Sequence, residues 1–169
     1  DRKPSRRDRL IVVALDMFTR YGVRRTSIED IAREARIAKG SVYLEFRAKE
    51  DVFRAAAEHL VAEVLEAAIA AAARDGSLED RLTELLFAKF WRLYDLVHSR
   101  PHARELIDAK DAVAADVLRA ADDRYADLLV GTLTAAPKRG LWRPQRPHTS
   151  REIAGVLLRT AHGTAYGAG

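Results

Sequence analysis

One short run of residues carries the chemical groups that bind phosphates and base edges. It combines a cation, a glycine, two hydroxyl groups and an apolar side chain, in Lys39, Gly40, Ser41, Tyr43 and Leu44. If the run is helical, Val42 and Phe46 lie four positions apart and pack inward, so the others point outward. A helix with such an outer face is poorly suited to a protein core and well suited to DNA.

A second helix and a tight turn are needed to hold this run in place. The preceding residues place apolar side chains at i, i+3, i+4 and i+7, in Ile28, Ile31, Ala32 and Ala35. Thr26 is the predicted N-cap, and Glu29 three positions later completes a capping box. Residues 26–46 therefore predict a helix-turn-helix, with the major groove of DNA as partner. Lys39 and Ser41 are expected to reach base edges, and Leu44 a thymine methyl group.

Residues 8–55 resemble the DNA-binding domain of the tetracycline-repressor-like (TetR) regulators. The matching pieces are Phe18-Thr19-Arg20-Tyr21-Gly22, Thr26-Ser27-Ile28, Ile31-Ala32, Lys39-Gly40-Ser41-Val42-Tyr43, Phe46 and Lys49-Glu50. The resemblance implies DNA contacts by Thr26, Lys39, Gly40, Ser41, Tyr43 and Lys49. Arg36 stands where the family usually has glycine, which predicts left-handed backbone strain. Ala38 stands where serine often caps the recognition helix.

Composition favours an all-α protein without structural cysteines. The 169 residues include no Cys and few Gly or Pro, and β-branched runs are missing. We predict two domains, an N-terminal three-helix helix-turn-helix domain at 1–48 and a helical ligand-binding and dimerisation domain at 49–169. Neither a signal peptide nor an apolar run of membrane-spanning length is recognisable, so we expect a soluble cytoplasmic protein.

The positive charge is concentrated at the N-terminal end. Residues 1–51 carry 13 Lys and Arg against nine Asp and Glu, whereas residues 52–169 carry 16 of each. The whole net charge of +4 therefore belongs to the segment with the helix-turn-helix, as nucleic-acid binding requires. Read alone, the basic N-terminal arm is more simply a solvated segment.

Residues 78–98 form a predicted helix that is apolar on two sides and is therefore expected to be internal. One side is rich in leucine. The second carries Phe87, Phe90, Trp91, Tyr94 and His98. Two interpretations of this second side stay open. It packs in the core, or it lines a ligand pocket. The resemblance favours the pocket, because family members commonly bind small effectors between these helices. The effector is expected to be small and apolar or aromatic.

The remaining segments are also predicted to be helical. We expect helices at 5–21, 49–74, 102–109, 111–136 and 149–166, with Ser77 and Asp80 capping the helix at 78–98. Small residues on the last helix, including Gly163, favour a symmetric homodimer, with packing inside one chain as the alternative. Trp142 is expected to pack onto a helix. The last helix looks unfinished at Gly169, so we expect that the chain is truncated or that residues are missing from it.

No arrangement of residues indicates an enzyme. His98 and His102 have the spacing of a helical zinc pair, but Pro101 lies between them and breaks the helix. We predict no metal site, no cofactor and no membrane partner. The sequence thus predicts a DNA-binding transcriptional regulator, a ligand-released repressor that binds a palindromic operator as a dimer. The alternative is a ligand-sensing and dimerisation module without sequence-specific DNA binding.

Overall fold

The computed structural model describes residues 4–107, 113–136 and 148–166, and the secondary structure in these ranges is helical. The helices are α1 (Arg6–Tyr21), α2 (Ile28–Glu34), α3 (Lys39–Tyr43), α4 (Lys49–Ala73), α5 (Leu78–Ser99), α6 (Ala103–Ile107), α7 (Ala115–Ala135) and α8 (Ser150–Tyr166). The predicted all-α fold is confirmed, and each predicted helix is present with its ends shifted by a few residues. Within the described ranges, no helix is long and apolar enough to cross a membrane.

Side-chain caps fix where several helices begin. Ser5 accepts a hydrogen bond from the backbone N–H of Asp8, whose carboxylate accepts one from the Ser5 backbone in return. The predicted cap of α5 is confirmed, since the Ser77 hydroxyl accepts from the Asp80 backbone N–H. Such caps satisfy amides that the first helical turn leaves unpaired.

The predicted cap of α2 is wrong by one residue. Ser27, not Thr26, accepts from a backbone N–H, and Asp30, not Glu29, completes the capping box. Both pairs have the required spacing. Burial decides between them, because Thr26 is 2% exposed and its hydroxyl donates to the Gly22 carbonyl at 2.8 Å.

The chain divides into two compact units. The first unit comprises Asp1–Val61 and Leu96–Arg119, and the second comprises Ala62–Asp95 and Ala120–Gly169. The divisions fall inside α4, α5 and α7. The domain boundary predicted between residues 48 and 49 lies at the start of α4 and stays a prediction.

In the first unit, α1 packs against α2 and α6, and α2 packs against α3. The Phe18 ring is fully buried and meets the Phe53 ring edge to face, with centroids 5.8 Å apart. Arg54 on α4 pairs with Asp116 at the start of α7, and this guanidinium lowers the pKa of the Asp116 carboxyl to about 2. The aromatic contact thus holds α1 to α4, and the ion pair holds the start of α7 to α4.

In the second unit, Tyr125 on α7 is the centre of the packing. Its ring is 1% exposed, and its hydroxyl donates to the Leu85 carbonyl at 2.5 Å. Burial raises the pKa of this phenol. Phe90 meets the Tyr125 ring edge to face at 6.5 Å, and Lys89 lies over the same ring while pairing with Asp122. These contacts fasten one side of α5 to α7.

The expectation that both sides of α5 are internal is wrong. Phe87 is 56% exposed and Trp91 is 52% exposed, whereas Phe90 is 8% exposed. Within one chain, the described helices cover the side of α5 that carries Phe90 and Leu85. Sequence periodicity identifies apolar sides but does not show how many neighbours are available to cover them.

Candidate DNA-contact surface

The helix α3 is anchored by two side chains and exposes the rest. Val42 and Phe46 are 0% and 3% exposed, and the Arg7 guanidinium lies 4.6 Å from the centre of the Phe46 ring. On the outer side, Tyr43 is 47% exposed and Leu44 is 78% exposed. The predicted division between inward and outward residues is thus present.

Gly40 is not explained by packing within the chain. A Cβ atom added there would have no heavy atom within 4 Å. Glycine inside a helix costs about 0.5–1 kcal/mol relative to alanine. Packing among the described residues therefore does not require glycine at this position.

The two departures from the family pattern have the predicted local effects. Arg36 adopts φ of 56°, the left-handed conformation that glycine tolerates best. Ala38 occupies the N-cap of α3 and provides no side-chain hydrogen bond. The recognition helix therefore starts from a strained turn and an uncapped end.

The Lys39 ammonium group is paired with a carboxylate of the preceding helix. It donates to Glu29, and this bond is the main reason why the pKa of Lys39 is raised and that of Glu29 is lowered. Both side chains are about half exposed, so the ion pair is open to solvent. Lys39 also lies 5.7 Å from the centre of the Tyr43 ring. Ser41 is half-buried. An incoming phosphate or base must compete with Glu29 for Lys39.

Two predicted contact residues are engaged inside the protein. The buried Thr26 hydroxyl donates to Gly22, and Lys49 Nζ donates to the Val23 carbonyl at 3.0 Å. Their predicted hydrogen bonds to phosphate would require these internal bonds to break. In this conformation, Thr26 and Lys49 both fix the turn between α1 and α2.

The same turn is held from its other side by α6. The Val23 backbone N–H donates to Glu105 Oε2 at 3.1 Å, and His102 Nδ1 lies 2.7 Å from Glu105 Oε1. The bond with His102 is the main cause of a lowered pKa of the Glu105 carboxyl. The turn, the start of α4 and α6 line a cleft of about 620 Å³.

Sequence reasoning missed two cations on this turn. Arg24 and Arg25 are exposed and line the cleft, and the charge of Arg24 contributes to the lowered pKa of the Glu105 carboxyl. They directly precede the cap of α2. The sequence did contain a signal for these cations, because two adjacent arginines lie between Gly22 and the start of a helix. Arginines at such a position can contact a phosphate backbone.

The predicted ligand-lining residues are only partly brought together. Phe87, Trp91 and Tyr94 form a continuous stack along α5, with ring centroids 5.2 Å and 5.7 Å apart. Phe90 points into the core, and His98 is exposed and belongs to the first unit. The three stacked rings are exposed, and their role in ligand binding stays a prediction. Within the described ranges, no three His, Asp or Glu side chains are grouped to hold a metal ion.

Comparison with known proteins connects this surface to a family. Residues 10–56 match the model of the bacterial regulatory proteins of the tetR family. A 48-residue segment is 44% identical to the HTH-type transcriptional repressor KstR2 of Mycolicibacterium smegmatis, covering 28% of this chain and 23% of the repressor. The chain spans less than a quarter of the length of the curated relatives it matches.

Solved structures resemble the chain over nearly its whole length. A transcriptional regulator of the TetR/AcrR family from Thermobifida fusca YX-ER1 is 26% identical, with a TM-score of 0.72 over 95% of this chain and 84% of that one. The transcriptional regulator FadR from Bacillus subtilis, solved in complex with stearoyl-CoA, has a TM-score of 0.69 at 16% identity, covering 93% and 83%. These relatives are regulators, which agrees with the prediction that the chain is not an enzyme.

Proposed function

We propose that the chain represses transcription by binding a palindromic operator through α3, since residues 10–56 match the model of the bacterial regulatory proteins of the tetR family. The outer side of α3 is the observation that supports this most directly. It presents Tyr43, Leu44 and a glycine without neighbours, while Val42 and Phe46 hold the helix to the first unit. A regulator acting on bacterial DNA works in the cytoplasm.

In this proposal, each outward group has a defined partner. The Tyr43 hydroxyl donates to a phosphate, Gly40 allows the DNA backbone to approach α3, and Leu44 packs on a thymine methyl group. Lys39 exchanges Glu29 for a base edge or a phosphate, and Ser41 contacts a neighbouring base. Arg24 and Arg25 add phosphate contacts beside α2. The predicted phosphate contacts of Thr26 and Lys49 require their bonds to Gly22 and Val23 to break, and otherwise both residues hold the turn that carries the two arginines.

The recognition helix is tested with two matched tyrosine variants. Tyr43→Phe should weaken operator binding by about 1–3 kcal/mol, since it removes one hydroxyl contact and leaves the ring. Tyr21→Phe is the control, because Tyr21 is 53% exposed on α1 in the same unit. Operators selected from a genomic fragment library are titrated by fluorescence anisotropy at several salt concentrations.

Salt dependence decides between the two functional hypotheses. If phosphate contacts dominate, the logarithm of affinity falls linearly with the logarithm of salt concentration, with a slope of about −0.9 per phosphate contacted. A flat salt dependence, or equal losses for both tyrosine variants, would contradict the proposal. Failure to select any sequence at low salt would instead favour a ligand-sensing and dimerisation module.

We propose that the second unit forms the homodimer through α7 and α8. Val156 on α8 is 53% exposed, and a Cβ atom added at the exposed Gly131 on α7 would have no heavy atom within 4 Å. Such surfaces let helices of two chains approach closely. Two recognition helices would then contact half-sites about 34–36 Å apart, or a multiple of that distance. The side chains of Gly163 and its neighbours lie outside the described residues, as does Trp142.

Dimerisation is tested by placing a charge on the exposed face of α8. Val156→Asp should convert the dimer to a monomer in sedimentation velocity and should abolish operator binding, because each half-site alone binds weakly. Ile69→Asp on α4 is the control, since Ile69 is also half exposed but lies outside the proposed interface. A monomeric wild type at micromolar concentration would contradict the dimer.

We further propose that a small apolar or aromatic effector releases the repressor from DNA. The stacked side chains of Phe87, Trp91 and Tyr94 support this, because their flat surface is left uncovered in one chain. The FadR structure with stearoyl-CoA is a regulator of the same fold with an acyl ligand. Release requires the effector to bind the DNA-free state more tightly, typically by a coupling of about 1–3 kcal/mol.

A further inference from the structure

A buried arginine in the second unit has no counter-ion among the residues that the structure describes. Arg81 on α5 is 5% exposed and lies on the buried stripe with Leu78 and Leu85. One of its nitrogens, Nη2, donates to the Ala72 carbonyl at the end of α4. The other two, Nε and Nη1, are buried and have no hydrogen-bond partner in the described ranges. Arginine stays protonated in proteins, so the full positive charge is buried.

The end of α4 compensates this charge only in part. A helix C-terminus carries the equivalent of about half a negative charge, and it engages one nitrogen of three. The simpler interpretation, in which Arg81 only caps α4, therefore leaves about half a charge and two donors unsatisfied. Buried polar groups are normally hydrogen-bonded, and an exception in a folded protein calls for a missing water, ion or ligand.

The neighbouring carboxylates do not complete the site. Glu84, one turn away on α5, pairs with Arg74, and Asp80 accepts from the Ser77 hydroxyl. A water molecule would satisfy a donor but would not supply the missing charge.

We propose that Arg81 binds the carboxylate of a small molecule with an apolar body inside the second unit. A monoanion matches one guanidinium better than a dianion does, because the end of α4 already supplies part of the negative charge. Apolar residues precede and follow Arg81 on its stripe, so the remainder of the ligand meets leucine side chains. This site differs from the exposed stack of Phe87, Trp91 and Tyr94.

Binding at Arg81 cannot leave the packing unchanged. Because Nε and Nη1 are already enclosed, an incoming carboxylate must displace the side chains that cover them. A ligand that requires such a displacement favours a different state of the unit from the empty protein. Only the expected effect on DNA affinity rests on the proposed ligand-released repressor.

Thermal unfolding of matched variants tests the site. We use sodium octanoate as the apolar acid, 1-octanol as its uncharged analogue and inorganic phosphate as the second anion. Octanoate at about ten times its Kd should raise the Tm of the wild type by about 3–6 °C, and that of Arg81→Met not at all. Arg92→Met is the control, because Arg92 lies on the same helix and is 54% exposed, and it should respond like the wild type.

Each alternative outcome has a defined meaning. An equal octanoate shift in Arg81→Met, or an equal shift with octanol in the wild type, overturns the proposal. A phosphate shift as large as that of octanoate overturns the assignment of an apolar acid. Without added anion, Arg81→Met should melt at or above the wild-type Tm, because it removes an uncompensated buried charge. A much lower Tm would show that the charge is already compensated.

A measurement on the wild type keeps the proposal testable if Arg81→Met does not fold. The Nε–H resonance of Arg81, assigned with Arg81→Lys, should shift on titration with octanoate and not with octanol; an unmoved resonance overturns the proposal. Operator affinity is measured in the same titration. If octanoate shifts the Arg81 resonance while operator affinity stays constant, the binding site at Arg81 is supported and the proposal of a ligand-released repressor is contradicted.

Discussion

We expect Phe18→Ala to lower the free energy of unfolding by about 3–5 kcal/mol, a loss typical of a phenylalanine removed from a core. The Phe18 ring is 0% exposed and meets the Phe53 ring of α4 edge to face. Alanine would leave a cavity between α1 and α4. Since these helices support the helix-turn-helix, operator binding should be lost at temperatures where the wild type still binds.

Urea unfolding followed by circular dichroism measures this loss. Tryptophan fluorescence is unsuitable, because Trp91 belongs to the second unit and does not report on the first. Val12→Ala is the control on the same helix, since Val12 is 50% exposed and should change stability by no more than about 0.5 kcal/mol. A loss below about 1 kcal/mol for Phe18→Ala would mean that the ring is not part of a fixed core.

Gly22→Ala should have the second largest effect. Gly22 adopts φ of 87° and ψ of 150°, a region that is nearly exclusive to glycine, and the backbone alone costs about 1–3 kcal/mol for other residues. A Cβ atom would also lie 3.1 Å from Glu105 Oε2 and 3.2 Å from His102 Nδ1. Moving Glu105 aside would release the Val23 N–H, so the turn before α2 should loosen.

Gly40→Ala is the matched control for this variant. Beyond its own helix, the methyl group at position 40 meets no atom of the described residues within 4 Å, and alanine favours a helix, so stability should rise by about 0.5–1 kcal/mol. Its operator affinity should nevertheless fall if DNA approaches α3 closely. Equal stabilities of the two alanine variants in urea would contradict the assignment of Gly22 to a glycine-only conformation.

Helix positions followed from local sequence signals. The apolar spacing of α1 and α2, the stop at Gly22 and the Ser77–Asp80 cap are short-range features, and the structure confirms them. The family was recognisable from the same stretch, since residues 10–56 match its model. The outward orientation of Tyr43 and Leu44 also followed from spacing, because the two anchors Val42 and Phe46 leave only one side of α3 free.

The tertiary structure decided which of several similar side chains caps a helix and which one bonds within the protein. Thr26 and Ser27 are both good caps in sequence, and burial of Thr26 gave the cap to Ser27. Lys49 was predicted to contact DNA, but its ammonium group donates to the Val23 carbonyl, and the Val23 N–H is bound by Glu105 of α6, 82 residues later in the chain. Contacts between distant segments are not encoded in local spacing.

The same limit explains the two sides of α5 and its buried cation. The sequence interpretation placed Phe87 and Phe90 on the same side of α5, but in the structure Phe90 packs against Tyr125 of α7 and is covered, whereas Phe87 is exposed. Arg81 reads in sequence as an ordinary surface residue. In the structure it is buried beside the end of α4, and two of its nitrogens have no partner among the described residues, which local spacing does not show.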